Sequence, residues 1–469
     1  MLAHLSRRIA WSRSVGVLQS RQMSLWLVIM NTRHSISLRA AIAGISVSLA
    51  SCAALAAQDE RILVPQDSAP ASGSSTSAEN AALASVSAAR LRADSDPSAL
   101  EAALIALGDA YASSRQYPNA VSAFNEALQL AEQRNGFESE QVLAPLLGLA
   151  TGLADWGHHR EAVPRLQRAL AIQRAQYGVF DPRQQDTLKV LARSLTALDQ
   201  LPEAEQQLIY RARVAEKTYG AGRTEVMLAM CDLGDWFAEV GRSLEARTTF
   251  LAALNIGAMN GPAIVEPLQG IARTRMRAQS YPRPWPAHET NAVRFNAMGQ
   301  PLLKAKELNE EGELALARAL KILEDDASAS TREALIETLI QMGDWYQVKK
   351  WPRKALPYYE RAWQQILTAR DPQAAVATAL DAPVRVYYPT PSVLARGSAA
   401  RREAHASYVQ IELTVAADGS VPDARVVDEN TTDQYVQEIL NAVRASSFRP
   451  KFVDGKPVAV HAIAYREVF

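Results

Sequence analysis

The chain has 469 residues, enough for about two to four domains or for one repeat array with a smaller companion. Its 50 basic and 50 acidic residues cancel, so the basic excess that a nucleic-acid partner calls for is missing. A hydrophobic share of 48% and a charged share of 21% exclude a wholly disordered, collagenous or multi-span membrane chain, and two cysteines, Cys52 and Cys231, exclude a disulfide framework and a Cys-rich zinc site.

Residues 1–57 read as an address. They hold six arginines, no lysine and no acid. Met30 to Arg39 forms a basic n-region, Ala40 to Leu49 a short apolar run, and Ala54-Leu55-Ala56 a small-x-small cleavage site, with Ala56 the cleavage candidate. Ala and Ser dilute the run, which makes it a poor permanent membrane span. The residues before Met30 are expected to be an upstream extension. Leu49-Ala50-Ser51-Cys52 resembles a bacterial lipobox, which makes Cys52 a lipidation candidate. Either route exports the protein, and membrane contact is then expected only through a lipid anchor or an uncleaved N-terminal helix. Residues 58–96 are rich in Ala and Ser with few large apolar side chains, and a flexible tether is expected there.

A period of 42 follows. Ala120, Ala162, Ala204 and Ala246 keep it, as do Gly136, Gly178 and Gly220. Leu104, Leu107, Gly108 and Tyr111 recur as Leu146, Leu149, Ala150 and Leu153, and as Leu188, Leu191, Ala192 and Leu195. Met230, Leu233, Gly234 and Phe237 continue the series. Offsets 4, 7 and 11 make one stripe of a first helix, and offsets 20, 24 and 27 one stripe of a second. Small residues at 8 and 20 let the two helices approach. The glycines after the second helix suit a left-handed C′ position. The period slips after repeat four: residues 263–278 suit a first helix, a Pro-rich stretch at 280–286 cannot continue it, and a second helix resumes near 303–324. Leu339, Met342, Gly343, Tyr346, Ala355, Tyr359 and Ala362 complete a clean repeat six. The array is expected over 97–368, interrupted by a loop at about 279–300.

The pattern resembles the tetratricopeptide repeat (TPR), lengthened from 34 residues to the 42 of kinesin-light-chain-like repeats. The resemblance implies a superhelix whose concave groove is lined by positions 2, 5, 9, 12 and 13 of each first helix. Those positions make Asp109, Asp155, Lys189, Arg193, Asp235, Glu239 and Asp344 candidate partner contacts; the alternative is a solvated helix face. Ile105 and Leu147 stand at position 5, where cytosolic co-chaperones carry a carboxylate clamp.

After an extended linker at 369–404, Val409, Ile411, Leu413 and Val415 alternate with polar residues as a half-buried strand. Asp418-Gly419 signals a hairpin into a strand from Val421 to Val427. Val436, Ile439, Leu440 and Val443 make a helical stripe, and a last strand runs from Pro457 to Val468. With Phe448-Arg449-Pro450 and Asp454-Gly455, this ββαβ unit resembles the TonB C-terminal domain over 405–469. In that family the domain pairs a strand with a box on an outer-membrane receptor. The alternative is a structural α+β cap. The Pro-rich spacer of energy transducers is replaced here by the repeat array.

No H-E-x-x-H, P-loop, G-x-S-x-G or C-x-x-C motif occurs. His158-His159 lies in a repeat turn without a third ligand at metal spacing. Trp156, Trp236 and Trp345 are expected to pack at helix ends. The fold class expected is mainly α: a TPR helical-hairpin superhelix followed by a small α+β domain. The function expected is a non-enzymatic periplasmic adaptor for protein partners, without metal or cofactor. The alternative is a TonB-family energy transducer.

Overall fold

A computed structural model describes residues 75–92, 96–256, 261–280, 305–326, 328, 330–368, 379–391 and 407–468. The export segment with Cys52 and Ala56, and most of the loop expected at 279–300, lie outside them.

The expected tether is helical in part. Helix α1 (Ser75–Arg90) buries Val86 and Ala89, with Ala82 beside them, against Leu100, Leu104, Ala123 and Ala127. Alanine gives up no side-chain entropy in a helix. Ala82, Val86 and Ala89 repeat the small-large-small spacing of Ala120, Phe124 and Ala127, so α1 acts as the second helix of a half repeat. It covers the apolar end that a solenoid would otherwise leave open.

Six helical hairpins follow. They are α2 (Pro97–Ser113) with α3 (Tyr117–Asn135), α4 (Leu143–Asp155) with α5 (His159–Tyr177), and α6 (Gln184–Ala197) with α7 (Leu201–Tyr219). Then come α8 (Thr224–Glu239) with α9 (Ser243–Leu254), α10 (Val265–Ser280) with α11 (Ala305–Asp325), and α12 (Arg332–Val348) with α13 (Pro352–Leu367). Neighbouring first helices pack on one another in repeats one to three and four to six. They therefore line the inner face. The slip has a simple cause. Helix α9 has 12 residues where α3, α5 and α7 have 19, and position 1 moves from Met227 to Val265, a step of 38.

Positions 8 and 24 exchange volume. Phe124, Phe250 and Tyr359 at position 24 face Gly108, Gly234 and Gly343 at position 8. Leu166, Leu208 and Leu316 have Ala150, Ala192 and Ala272 at position 8 of their repeats. A Cβ on Gly108 would stand 2.6 Å from the Phe124 ring, and one on Gly343 would stand 2.3 Å from Tyr359. The two phenylalanines also occupy space in the next first helix. Cβ atoms on Gly148 and Gly270 would lie 2.5 Å and 2.2 Å from Phe124 and Phe250. All six side chains at position 24 are buried. Close packing tolerates a larger ring only where backbone replaces side chain.

The turn inside each described hairpin is a Schellman motif. The amides of Gln116, His158, Gln200, Arg242 and Trp351 donate to the carbonyls of Tyr111, Leu153, Leu195, Phe237 and Tyr346. The left-handed residue is Arg115, Gly157, Asp199, Gly241 or Lys350. Only two are glycine, so the recurrence is hidden in the sequence. Gly136, Gly178 and Gly220 do hold positive φ, but with ψ of 163°, 163° and 150°. That is a mirror-extended conformation rather than the left-handed helical one expected.

The C-terminal unit is richer than ββαβ. Strand β1 (Val384–Tyr387), in the stretch expected as linker, pairs antiparallel with β4 (Ser447–Arg449). Strands β2 (Tyr408–Val415), β3 (Asp423–Glu429) and β7 (Val460–Val468) form a sheet in the order β3-β2-β7. Helix α14 (Asp433–Arg444) buries Val436, Ile439, Leu440 and Val443 against it. The last expected strand divides into β6 (Lys456–Val458), which pairs with β5 (Lys451–Val453) around Asp454-Gly455, and β7.

Gly234→Ala is expected to destabilise the array by about 1–3 kcal/mol through overpacking against Phe250. Phe250→Leu in that background should recover most of the loss. Urea unfolding of the two single variants and the double variant measures the coupling.

Candidate protein-interaction surfaces

The candidate groove residues lie on the inner first helices, but most of their charge is already satisfied between neighbouring repeats. Arg193 Nη2 donates to Asp155 Oδ1 at 2.5 Å, and Lys189 Nζ to Asp232 Oδ1 at 2.8 Å. Arg273 donates to both oxygens of Asp235 at 2.9 and 3.0 Å and to Glu266 Oε1 at 2.7 Å. Glu337 stands 3.8 Å from the same guanidinium. Burial raises the carboxyls of Asp235 and Glu337, and Arg273 opposes that shift in both. Asp109 is exposed on α2, its carboxyl raised by desolvation. Glu239 is exposed at the end of α8. From α4 to α12 the groove is therefore a ladder of ion pairs that ties each first helix to the next. Arg273 and Glu266 escape the 42-residue reading because of the shortened step. With Val265 at position 1, they fall at positions 9 and 2.

Asp344 is not a groove contact. It is buried, and it accepts from Arg449 Nε at 3.0 Å, Arg449 Nη2 at 2.6 Å and Tyr359 Oη at 2.7 Å. Arg449 belongs to β4, so this fork joins the last repeat to the C-terminal unit. Burial pushes the Tyr359 hydroxyl well above its ordinary value, and Asp344 adds to that shift. The position-9 pattern that places Asp155's neighbours in the groove cannot reveal that the chain returns to cover repeat six.

The other motif residues of the C-terminal unit meet the array too. Gln347 Nε2 donates to Asp418 O at 2.7 Å, and a Cβ on Gly419 would stand 2.7 Å from that same nitrogen. A Cβ on Gly455 would stand 3.1 Å from Trp363 Nε1. Phe452 enters the core of repeat six, its ring centroid 6.1 Å from Trp363 and 6.3 Å from Tyr359. Lys350 Nζ donates to Ser447 Oγ at 2.8 Å and to Ala445 O. The unit thus closes the C-terminal end of the solenoid with the turns and the Phe-Arg-Pro segment that identify it. Its β7 edge faces away from β2, the one strand with which β7 pairs among the described residues.

Repeat five carries a polar substitute for an apolar position. Arg275 takes position 11, elsewhere Tyr, Leu or Phe. It donates to Glu311 Oε2 at 2.7 Å, and Arg247 donates to Glu311 Oε1 at 2.7 Å. Burial pushes the Glu311 carboxyl up, but the two guanidinium groups outweigh burial and hold it below its ordinary value. Of the tryptophans, Trp345 and Trp236 are buried as expected. Trp156 is 42% exposed and stacks on His158 with centroids 4.1 Å apart.

Two outcomes follow from these contacts. Asp344→Asn leaves the buried Arg449 cation without its counter-charge and is expected to cost roughly 3–5 kcal/mol, whereas Asp344→Leu with Arg449→Met should recover most of it; urea unfolding and hydrogen exchange in β4 and β5 measure both. Glu311 has a lowered folded pKa. Its contribution is therefore present above the ordinary value of 4.5 and is lost as pH falls through the folded pKa. In Glu311→Gln the dependence of unfolding free energy on pH below 4.5 should flatten.

Comparison with known proteins agrees with both parts. Residues 99–175 match the sequence model described as tetratricopeptide repeat, and residues 398–466 match that of the Gram-negative bacterial TonB protein C-terminal domain. No curated protein matches the chain. The crystal structure of BtubC (BKLC) from P. vanneervenii is similar at 17% identity, covering 55% of this chain and 93% of that one with a TM-score of 0.41. A kinesin light chain from Podosopora anserina with nearly identical TPR-like repeats is similar at 19% identity, covering 46% and 94% with a TM-score of 0.36. The apo quorum sensor NprR from B. thuringiensis follows at 12% identity, covering 62% and 83% with a TM-score of 0.33. Among the described residues, no helix is long and apolar enough to cross a membrane. The chain joins tetratricopeptide repeats, a protein-interaction architecture, to a TonB-type C-terminal domain.

Proposed function

We propose that this chain is a non-enzymatic adaptor of the bacterial envelope, exported to the periplasm, which binds protein partners through the groove of its array and the edge of β7 turned away from β2. One observation carries the reading: the Asp344–Arg449 fork fixes the TonB-type domain to the last repeat, so both surfaces belong to one body. An energy transducer needs its terminal domain at the end of a reaching spacer. Here that domain is the lid of the array.

The β7 edge offers backbone groups to an incoming strand, as an outer-membrane receptor segment would supply. In the groove, Ile105 and Leu147 are half-buried apolar positions beside the charged ladder, suited to anchor side chains of an extended segment. Cleavage after Ala56 would release the body into the periplasm, whereas a lipid on Cys52 would tether it there to a membrane.

The test joins an intact-mass measurement to site-specific cross-linking. The full chain, expressed in its own host, is expected to mature to a start at Ala57 or at a lipidated Cys52. A photo-crosslinker at exposed position 109 in the groove or 466 on β7 should trap envelope proteins. Leu147→Arg should abolish the groove product and Ala464→Pro the edge product. An intact start at Met30 in the inner membrane would turn the reading towards an energy transducer. Cytosolic chain, or cross-links unchanged by both variants, would overturn it altogether.

A further inference from the structure

The turn between α12 and α13 departs from its counterparts. Lys349-Lys350-Trp351-Pro352-Arg353-Lys354 places four cations and no acid in six residues. The same six positions read Ser114-Arg-Gln-Tyr-Pro-Asn119, Trp156-Gly-His-His-Arg-Glu161, Leu198-Asp-Gln-Leu-Pro-Glu203 and Val240-Gly-Arg-Ser-Leu-Glu245 in the other described hairpins. None of those exceeds one net positive charge.

Local stability opposes this arrangement. The first turn of a helix favours acids, because its free amides carry partial positive charge. Helices α5, α7 and α9 obey, with Glu161, Glu203 and Glu245 at the third helical position. Helix α13 has Lys354 there, Arg353 before it, and no acid in its first turn. Lys350 turns to Ser447 and Ala445 of the C-terminal unit, but among the described residues Arg353 and Lys354 have no carboxylate within ion-pair distance, unlike the cations of the groove. Trp351 at the tip is 48% exposed, and Lys354 Nζ lies 4.5 Å from its ring centroid. The ring is held but not covered. Arg353 and Lys354 are exposed beside it, and the Schellman turn makes the whole a convex knuckle rather than a cleft.

We infer that this knuckle docks on an anionic lipid surface, Arg353 and Lys354 against headgroup phosphates and Trp351 at the headgroup level. A convex cationic tip with one half-exposed indole fits a membrane face. Juxtamembrane basic residues gain from anionic lipid, and tryptophan favours the interfacial zone. A peptide would need a groove or a strand edge, and the knuckle offers neither.

The experiment uses the full chain with vesicles of phosphatidylcholine, alone or mixed with phosphatidylglycerol. Sedimentation should show binding that depends on phosphatidylglycerol and weakens as salt rises. Any contribution from residues 1–57 is common to all variants. Arg353→Gln with Lys354→Gln should weaken binding by about 25-fold, at about fivefold for each basic residue, without lowering the unfolding midpoint, because both side chains face solvent. Trp351→Ala should weaken it as well. Equal binding to both vesicle types, no binding, or binding indifferent to the double variant would each overturn the inference. Variant-sensitive capture by polyglutamate without vesicle binding would overturn it in favour of an acidic polypeptide.

Discussion

How closely two helices of a hairpin can approach is decided where the side chain at position 24 meets the backbone at position 8. Phe124 and Phe250 each need two glycines, one in their own repeat and one in the next. Leu166 and Leu208 need none. Side-chain volume at position 24 can thereby change between repeats without forcing the two helices of a hairpin apart. The last aromatic of the series, Tyr359, has no following repeat. Phe452 and the Asp344–Arg449 fork stand in its place.

That substitution gives the terminal domain a second meaning. Its hairpin turns and Phe-Arg-Pro segment would be expected to serve the domain's own fold, and here they also form its seam with the solenoid. An end of a repeat array exposes an apolar face that must be covered. At one end α1 does this with three residues, Ala82, Val86 and Ala89. At the other a whole α+β unit does it, inserting one aromatic ring and one buried ion pair. The β7 edge and the groove then keep a fixed relation to each other.

The sequence makes the repeats legible because position and residue size recur together, as with Ala120 and Ala162. It conceals three things for separate physical reasons. Helix α1 is hidden because alanine reads as tether composition although it favours helix. The Schellman turns are hidden because Arg115, Asp199 and Lys350 hold a conformation that glycine normally advertises. The role of Asp344 is hidden because its partner lies 105 residues away, beyond any local pattern. The groove charges were found by position, but their pairing depends on neighbouring repeats being brought together by the fold.

Each rung of the groove ladder joins two repeats, so Asp155–Arg193, Lys189–Asp232 and Asp235–Arg273 behave as bolts across successive joints. Stretching the superhelix lengthens every one of them. Ions that screen the more exposed Asp155–Arg193 and Lys189–Asp232 pairs therefore soften those joints, while the half-buried Asp235–Arg273 pair and the hydrophobic joints hold. The protein is in this sense a spring whose stiffness is set by the electrolyte around it.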